Sequence, residues 1–204
     1  NDILIRDFNF LQASTGSGKT VMALAIISQR RQPTLIIVHS KELMDQWVER
    51  IKKFLGIPQE EIGIIGNGKR QIGDKITVGI VNSVYLIAEE IRVHIGHLVI
   101  DECHRCPSRT FVDAVTAFDC KFMLGLSATP YRRDGLTKLI GWHLGRKVEV
   151  KQADLTEADI ILDVDVIPRE TMFTSFYDAS EEYTRVLSEL TEDADRNQLI
   201  AADV

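Results

Sequence analysis

The run Ala13-Ser14-Thr15-Gly16-Ser17-Gly18-Lys19-Thr20 lies between an apolar stretch, Phe8–Gln12, and a helix-like run, Val21–Arg31. This order of strand, glycine-rich loop and helix constrains the fold more than any other feature of the chain. Such a loop turns successive backbone N–H groups inward, where they can cradle the phosphates of a nucleotide. The helix N-terminus behind it adds a favourable dipole. Gly16 and Gly18 permit a tight turn and a close approach that a Cβ would block. Lys19 can reach the β and γ phosphates, and the Thr20 hydroxyl suits Mg²⁺. The common form of this loop opens with glycine; here Ala13 stands first, with Gly-Ser-Gly-Lys-Thr intact behind it.

Two further segments carry chemistry. His97-Leu98-Val99-Ile100-Asp101-Glu102-Cys103-His104 reads as a buried strand with two carboxylates at its C-terminal edge. Ligands bind at that edge in α/β sheets. Asp101 is placed to hold a Mg²⁺ shell through water, and Glu102 to orient and deprotonate an attacking water. Leu124-Gly125-Leu126-Ser127-Ala128-Thr129-Pro130 is a second apolar strand that ends in small hydroxyl residues. Those hydroxyls can bond a neighbouring carboxylate or a backbone group.

In this order the three segments resemble the first motor domain of superfamily 2 helicases. Ala13 to Thr20 resembles helicase motif I, Asp101-Glu102-Cys103-His104 motif II of the DExH type, and Ser127-Ala128-Thr129 motif III. Leu35-Ile36-Ile37-Val38-His39-Ser40-Lys41-Glu42-Leu43 with Gln46-Trp47 is similar to motif Ia. The stretch Gly125 to Gly135, through Tyr131-Arg132-Arg133-Asp134, is similar to DNA-repair and transcription-type helicases and their phage relatives. The resemblance covers residues 10–150, more loosely to the end. It implies an α/β, RecA-like P-loop NTPase fold, with a mostly parallel sheet flanked by helices on both faces. It also implies ATP and Mg²⁺ as cofactors, with residues 13–20 and His104 on the nucleotide and Thr20 and Asp101 on the metal. Lys19, Asp101 and Glu102 would be catalytic, and Ser127, Ala128 and Thr129 would couple hydrolysis to domain closure. Ser40, Lys41, Asn82, Ser83 and Arg132 would meet nucleic acid, where hydroxyl, amide and cationic groups suit phosphate.

The charge balance allows such a partner. Net charge is −6 overall, but residues 1–150 hold 20 Lys and Arg against 16 Asp and Glu, while residues 151–204 hold 4 against 14. The motif-bearing part is mildly basic and the remainder strongly acidic. The resemblance implies a first helicase lobe over 1–150 and an acidic extension over 151–204 that leads toward a second RecA-like lobe, absent here with its arginine finger. The resemblance also implies an adenine-reading helix upstream of the loop, which is expected to be missing, since only twelve residues precede Ala13. No apolar run approaches the ~18–20 residues of a membrane span. Three cysteines, an odd number, suit reduced thiols and a cytoplasmic or nuclear setting. Cys103, His104 and Cys106 offer metal ligands, but no second pair of similar spacing completes a zinc site.

Strands are expected at 8–12, 34–39, 62–65, 75–81, 97–101, 121–126, 147–150 and 162–167. Helices are expected at 21–31, 41–55, 83–91, 110–118, 136–144, 180–190 and 193–204. Val21, Ala25 and Ile26 would line the buried side of the first helix, and Leu43, Trp47, Ile51 and Phe54/Leu55 that of the second. Trp47 is expected in the core, and Ser180 as an N-cap. The expected function is an ATP-driven nucleic-acid helicase lobe, with DNA favoured over RNA, weakly active alone. The alternatives are a double-stranded DNA translocase without unwinding and a non-catalytic nucleotide-sensing module.

Overall fold

The computed structural model describes residues 2–103, 115–128, 144–150 and 167–203. It divides into two compact units, 1–161 and 162–204. The first is built on one eight-stranded sheet. In chain order its strands are β1 (Phe8–Gln12), β2 (Thr34–Val38), β3 (Gly63–Gly66), β4 (Lys69–Gln71), β5 (Ile76–Ile80), β6 (His97–Ile100), β7 (Phe122–Ser127) and β8 (Arg146–Glu149). Their spatial order is β4-β3-β5-β2-β6-β7-β1-β8. Every neighbouring pair is parallel except the β3–β4 hairpin.

β4 has no counterpart among the expected strands. It exists because Asn67 and Gly68 both adopt positive φ, 51° and 80°, between Gly66 and Lys69. Two such residues make the tight turn whose twist matches paired strands. β4 is exposed on every residue, so it carries no apolar signature.

The helices described in full are α1 (Asp2–Ile5), α2 (Lys19–Arg30), α3 (Lys41–Leu55), α4 (Val81–Tyr85) and α5 (Ala88–Ile91), with α6 (Tyr183–Glu192) and α7 (Ala194–Asp203) in the second unit. β2 is buried on all five residues, as expected of a central parallel strand covered on both faces. Its odd and even side chains part accordingly. Leu35 and Ile37 join Val84, Ile91 and Leu98 under α4 and α5, while Ile36 and Val38 join Leu24, Ile27, Trp47 and Ile51 under α2 and α3. Helices thus cover both faces.

Several local expectations are corrected. The buried side of α2 is Ala23, Leu24, Ile26, Ile27 and Arg30, whereas Val21 and Ala25 face solvent. The larger aliphatic stripe wins the sheet because it removes more area from water. α3 buries Met44, Trp47, Val48 and Ile51; Leu43 and Leu55 are only partly covered, and Phe54 is 45% exposed. The single helix expected over 83–91 is two short ones separated at Leu86 and Ile87. Ser180 does not cap α6. Its N–H and hydroxyl both bond the Asp178 carboxylate in an Asx-type turn, and α6 starts at Tyr183. Residues 110–114 of the helix expected over 110–118, 136–143 of that expected over 136–144, and 162–166 of the strand expected over 162–167 lie outside the described residues.

Candidate nucleotide site

The sheet brings the sequence motifs to one edge. Being parallel, β5, β2, β6, β7 and β1 all end on the same side, in that lateral order. Along this edge stand Asn82 and Ser83 after β5, Ser40 and Lys41 after β2, and Asp101 and Glu102 after β6. Ser127 and Ala128 follow at the end of β7, and residues 13–20 after β1. Only β7 separates the loop-bearing strand from the acid-bearing strand. The Ala13 N–H donates to the Ser127 carbonyl at 3.2 Å, so the start of the loop is stitched to the end of β7. His104, Thr129, Arg132 and Arg133 lie outside the described residues.

The loop takes the conformation its glycines permit. Gly16 and Gly18 have φ of +80° and +79°, and a Cβ on either would point into open space. Backbone conformation, not crowding within the chain, requires glycine there. Ser17 closes the turn through its N–H and hydroxyl, both donating to the Ser14 carbonyl. The Lys19 ammonium spans the loop and donates to the carbonyls of Ala13 and Ser14, each at 2.9 Å. Burial lowers the Lys19 pKa, and the negative charges of Glu102 and then Asp101 act in the opposite direction. A cation thus stands at the N-terminal end of α2, where the helix dipole favours an anion.

Asp101 is held at three points. Its N–H donates to the Ile37 carbonyl at 3.0 Å. Its Oδ1 accepts the Glu102 N–H at 3.0 Å, and its Oδ2 accepts the Trp47 indole N–H at 2.8 Å. Glu102 turns the chain sharply with φ of 51°, unusual for a residue with a side chain. Trp47 is in the core as expected, 2% exposed, but its bond to Asp101 went unread in the sequence. The available signal was chemical: a buried indole N–H requires an acceptor.

Ser40 is the N-cap of α3, and its hydroxyl accepts the Leu43 N–H at 3.3 Å. Lys41 and Asn82 are exposed, and Ser83 is half-buried. Among the described residues no group of three or more His, Cys, Asp or Glu converges on a metal position. An ion that keeps most of its own water, as Mg²⁺ does, needs no such cage. The Thr20 hydroxyl, one carboxylate and an ammonium for phosphate form a donor set that fits a magnesium nucleotide. No helix of the described residues is long and apolar enough to cross a membrane.

The family model for the type III restriction enzyme res subunit matches residues 6–132, more than half of the chain. The DNA 3'-5' translocase XPB2 of Sulfurisphaera tokodaii is 41% identical over 125 residues, 61% of this chain and 28% of that protein. Protein L396 of Acanthamoeba polyphaga mimivirus, named as a candidate ATP-dependent RNA helicase, is 32% identical over 72% of this chain and 28% of its own. The chain therefore spans somewhat over a quarter of these curated relatives. The crystal structure of the UvsW helicase from bacteriophage T4 superposes with a TM-score of 0.62 at 20% identity, covering 73% of this chain and 58% of that one. The chain belongs to the family of the type III restriction enzyme res subunit, and its sheet is that of a superfamily 2 first RecA-like domain.

Proposed function

We propose that the chain is the nucleotide-binding lobe of a DNA motor that binds Mg-ATP at the C-terminal edge of its sheet. The observation that carries this reading is that the sheet sets the Lys19 loop and the Asp101–Glu102 pair on one edge, a single strand apart, with the loop stitched to Ser127. Lys19 exchanges its two carbonyl acceptors, Ala13 and Ser14, for phosphate oxygens. The backbone of residues 13–18 and the start of α2 then surround the phosphates. Thr20 and Asp101 would hold Mg²⁺, which would supply charge neutralisation. Glu102 orients the water and accepts its proton. His104 contacts the nucleotide side, and Ser127, Ala128 and Thr129 relay its state to domain closure.

Ser40, Lys41, Asn82, Ser83 and Arg132 grip a strand backbone. The first four stand at the ends of the adjacent strands β2 and β5, which favours a continuous contact face. A second lobe, reached through the acidic region that begins near residue 151, supplies the arginine that completes the site. Losing such an arginine costs ~10³–10⁵ in rate in related phosphoryl transfer, so this chain alone should turn over slowly. DNA is favoured by the Ser127-to-Gly135 segment and by the DNA translocase name of the archaeal relative. The mimivirus name supports RNA as the competing track. The motor works in the cytoplasm or nucleus.

The test is Mg-ATP hydrolysis by the full-length parent protein with single- and double-stranded DNA and RNA, beside Glu102→Gln. Stimulation by DNA that vanishes in the variant supports the reading. Stimulation by RNA alone moves the track to RNA, and turnover indifferent to every polymer rejects a nucleic-acid motor. Strand displacement on the same samples separates a helicase from a translocase that does not unwind.

A further inference from the structure

We infer that Trp47 is a positioning residue for the metal-holding carboxylate, so that α3 sets the orientation of Asp101. The inference rests on the reading of Asp101 as the Mg²⁺-side acid.

Trp47 lies in the middle of α3, which runs from Lys41 to Leu55 and is seated on the sheet by Met44, Val48 and Ile51. The ring is 2% exposed, and its Nε1–H reaches across to β6 to donate to Asp101 Oδ2 at 2.8 Å. An indole has one donor and no acceptor, and its polar atom accordingly looks for a partner wherever the ring is buried. Here that partner is the first residue beyond β6. If Asp101 rotated away, a buried N–H would be left without an acceptor, an arrangement folded proteins avoid.

The opposite oxygen is held by the Glu102 N–H at 3.0 Å. The carboxylate is therefore gripped at both oxygens from two directions, one by the neighbouring backbone and one from α3. An ionised carboxylate offers about four lone-pair directions, so two remain for a metal or its water. This arrangement matches the way side chains behind metal ligands fix their orientation, at a typical cost of ~10–100-fold in metal affinity when removed.

The experiment measures binding of ADP to the 204-residue chain by calorimetry, once in EDTA and once across a Mg²⁺ titration. The samples are wild type, Trp47→Phe, Val48→Ala and Asp101→Asn. Trp47→Phe keeps an aromatic ring and removes the N–H. It is expected to raise the Mg²⁺ needed for half-maximal enhancement about tenfold while leaving ADP affinity in EDTA unchanged. Val48→Ala thins the same packing without touching the bond and is expected to leave the Mg²⁺ requirement as in wild type. Asp101→Asn tests the underlying reading: if it keeps the wild-type Mg²⁺ requirement, Asp101 does not serve the metal. If Asp101→Asn loses that requirement and Trp47→Phe does not shift it, or if Val48→Ala shifts it equally, the positioning role is overturned.

A readout that does not depend on Trp47→Phe folding comes from Trp142→Phe, which leaves Trp47 as the one tryptophan of two. Its emission is expected to change when Mg²⁺ is added to the ADP complex. Unchanged emission overturns the proposal.

Discussion

Helix α2 begins and ends with a cation, and the two ends are built for opposite purposes. Lys19 and Arg30 each donate to two backbone carbonyls. Lys19 bonds Ala13 and Ser14 at 2.9 Å each, and Arg30 bonds Ile3 and Arg6 at 3.2 and 2.9 Å. The surroundings separate them. Lys19 is half-exposed in a glycine-shaped loop. Arg30 is 9% exposed, lies 4.5 Å from the Phe122 ring centre and donates to His97 Nε2 at 3.0 Å. At the C-terminus of α2 a cation also agrees with the helix dipole, whereas at the N-terminus it does not. The first cation thus stays accessible at a helix end that favours an anion, and the second is locked into holding the chain before β1. Asn9 Nδ2 donates to the same two carbonyls, Ile3 and Arg6, at 3.0 Å each, completing that clamp.

Breaking the two cations should give opposite phenotypes. Lys19→Ala is expected to lower ATP turnover roughly 10³-fold, the scale of removing one phosphate-directed cation. Its melting temperature should stay near wild type, as checked by steady-state hydrolysis beside a thermal melt. Arg30→Met should do the reverse. It removes a buried charged donor and leaves His97 Nε2 without its partner, at a cost of ~2–3 kcal/mol. In a chain of this size that lowers the melting temperature by about 5–10 °C. Nucleotide affinity of the folded fraction should not change.

His97 sharpens the comparison through pH. Burial first, and the Arg30 charge second, push its pKa down to about 3 from an ordinary 6.5. The ring is therefore neutral in the folded chain, with Nε2 accepting from Arg30. Nδ1 then carries the proton and faces the Thr34 hydroxyl at 3.4 Å. The unfolded chain binds the extra proton, so this contribution is complete above about pH 6.5 and is lost as pH falls toward 3. Between pH 6.5 and 4.5 the wild type should lose about 2 kcal/mol relative to His97→Gln. Denaturant unfolding of both proteins at matched pH checks this, and parallel curves would refute it.

The smallest effect contrasts two strained residues. Arg31 closes α2 with φ of 50°, and Glu102 follows β6 with φ of 51°. Glycine at either position should stabilise by roughly 0.5–1 kcal/mol, because a Cβ disfavours that backbone. Arg31→Gly should leave turnover intact, and Glu102→Gly should abolish it. Melts and hydrolysis assays on the pair show which strain serves chemistry.

The candidate site was legible because its parts are contiguous. Residues 13–20 carry their own turn, charge and hydroxyl, and Asp101 and Glu102 follow an apolar run long enough to read as a buried strand. Trp47 and Arg30 were less legible. Helical periodicity reports which face is buried and not what the polar atom on that face meets, so the partners of Trp47 and Arg30 have no sequence signature. β4 escaped because an edge strand of Lys-Arg-Gln has no alternation to detect, and Ser180 because Asp178 competes for the same short-range bonds.

The amino-acid order alone determined the glycine-rich loop, the acid-bearing strand and the alternation of strand and helix, for these depend on neighbours within a few residues. Tertiary structure decided the lateral order that sets β6 one strand away from β1, the bond from Trp47 to Asp101, and the different fates of Lys19 and Arg30. Those outcomes depend on which distant groups share a buried space, and burial sets the strength of every charge and hydrogen bond within it.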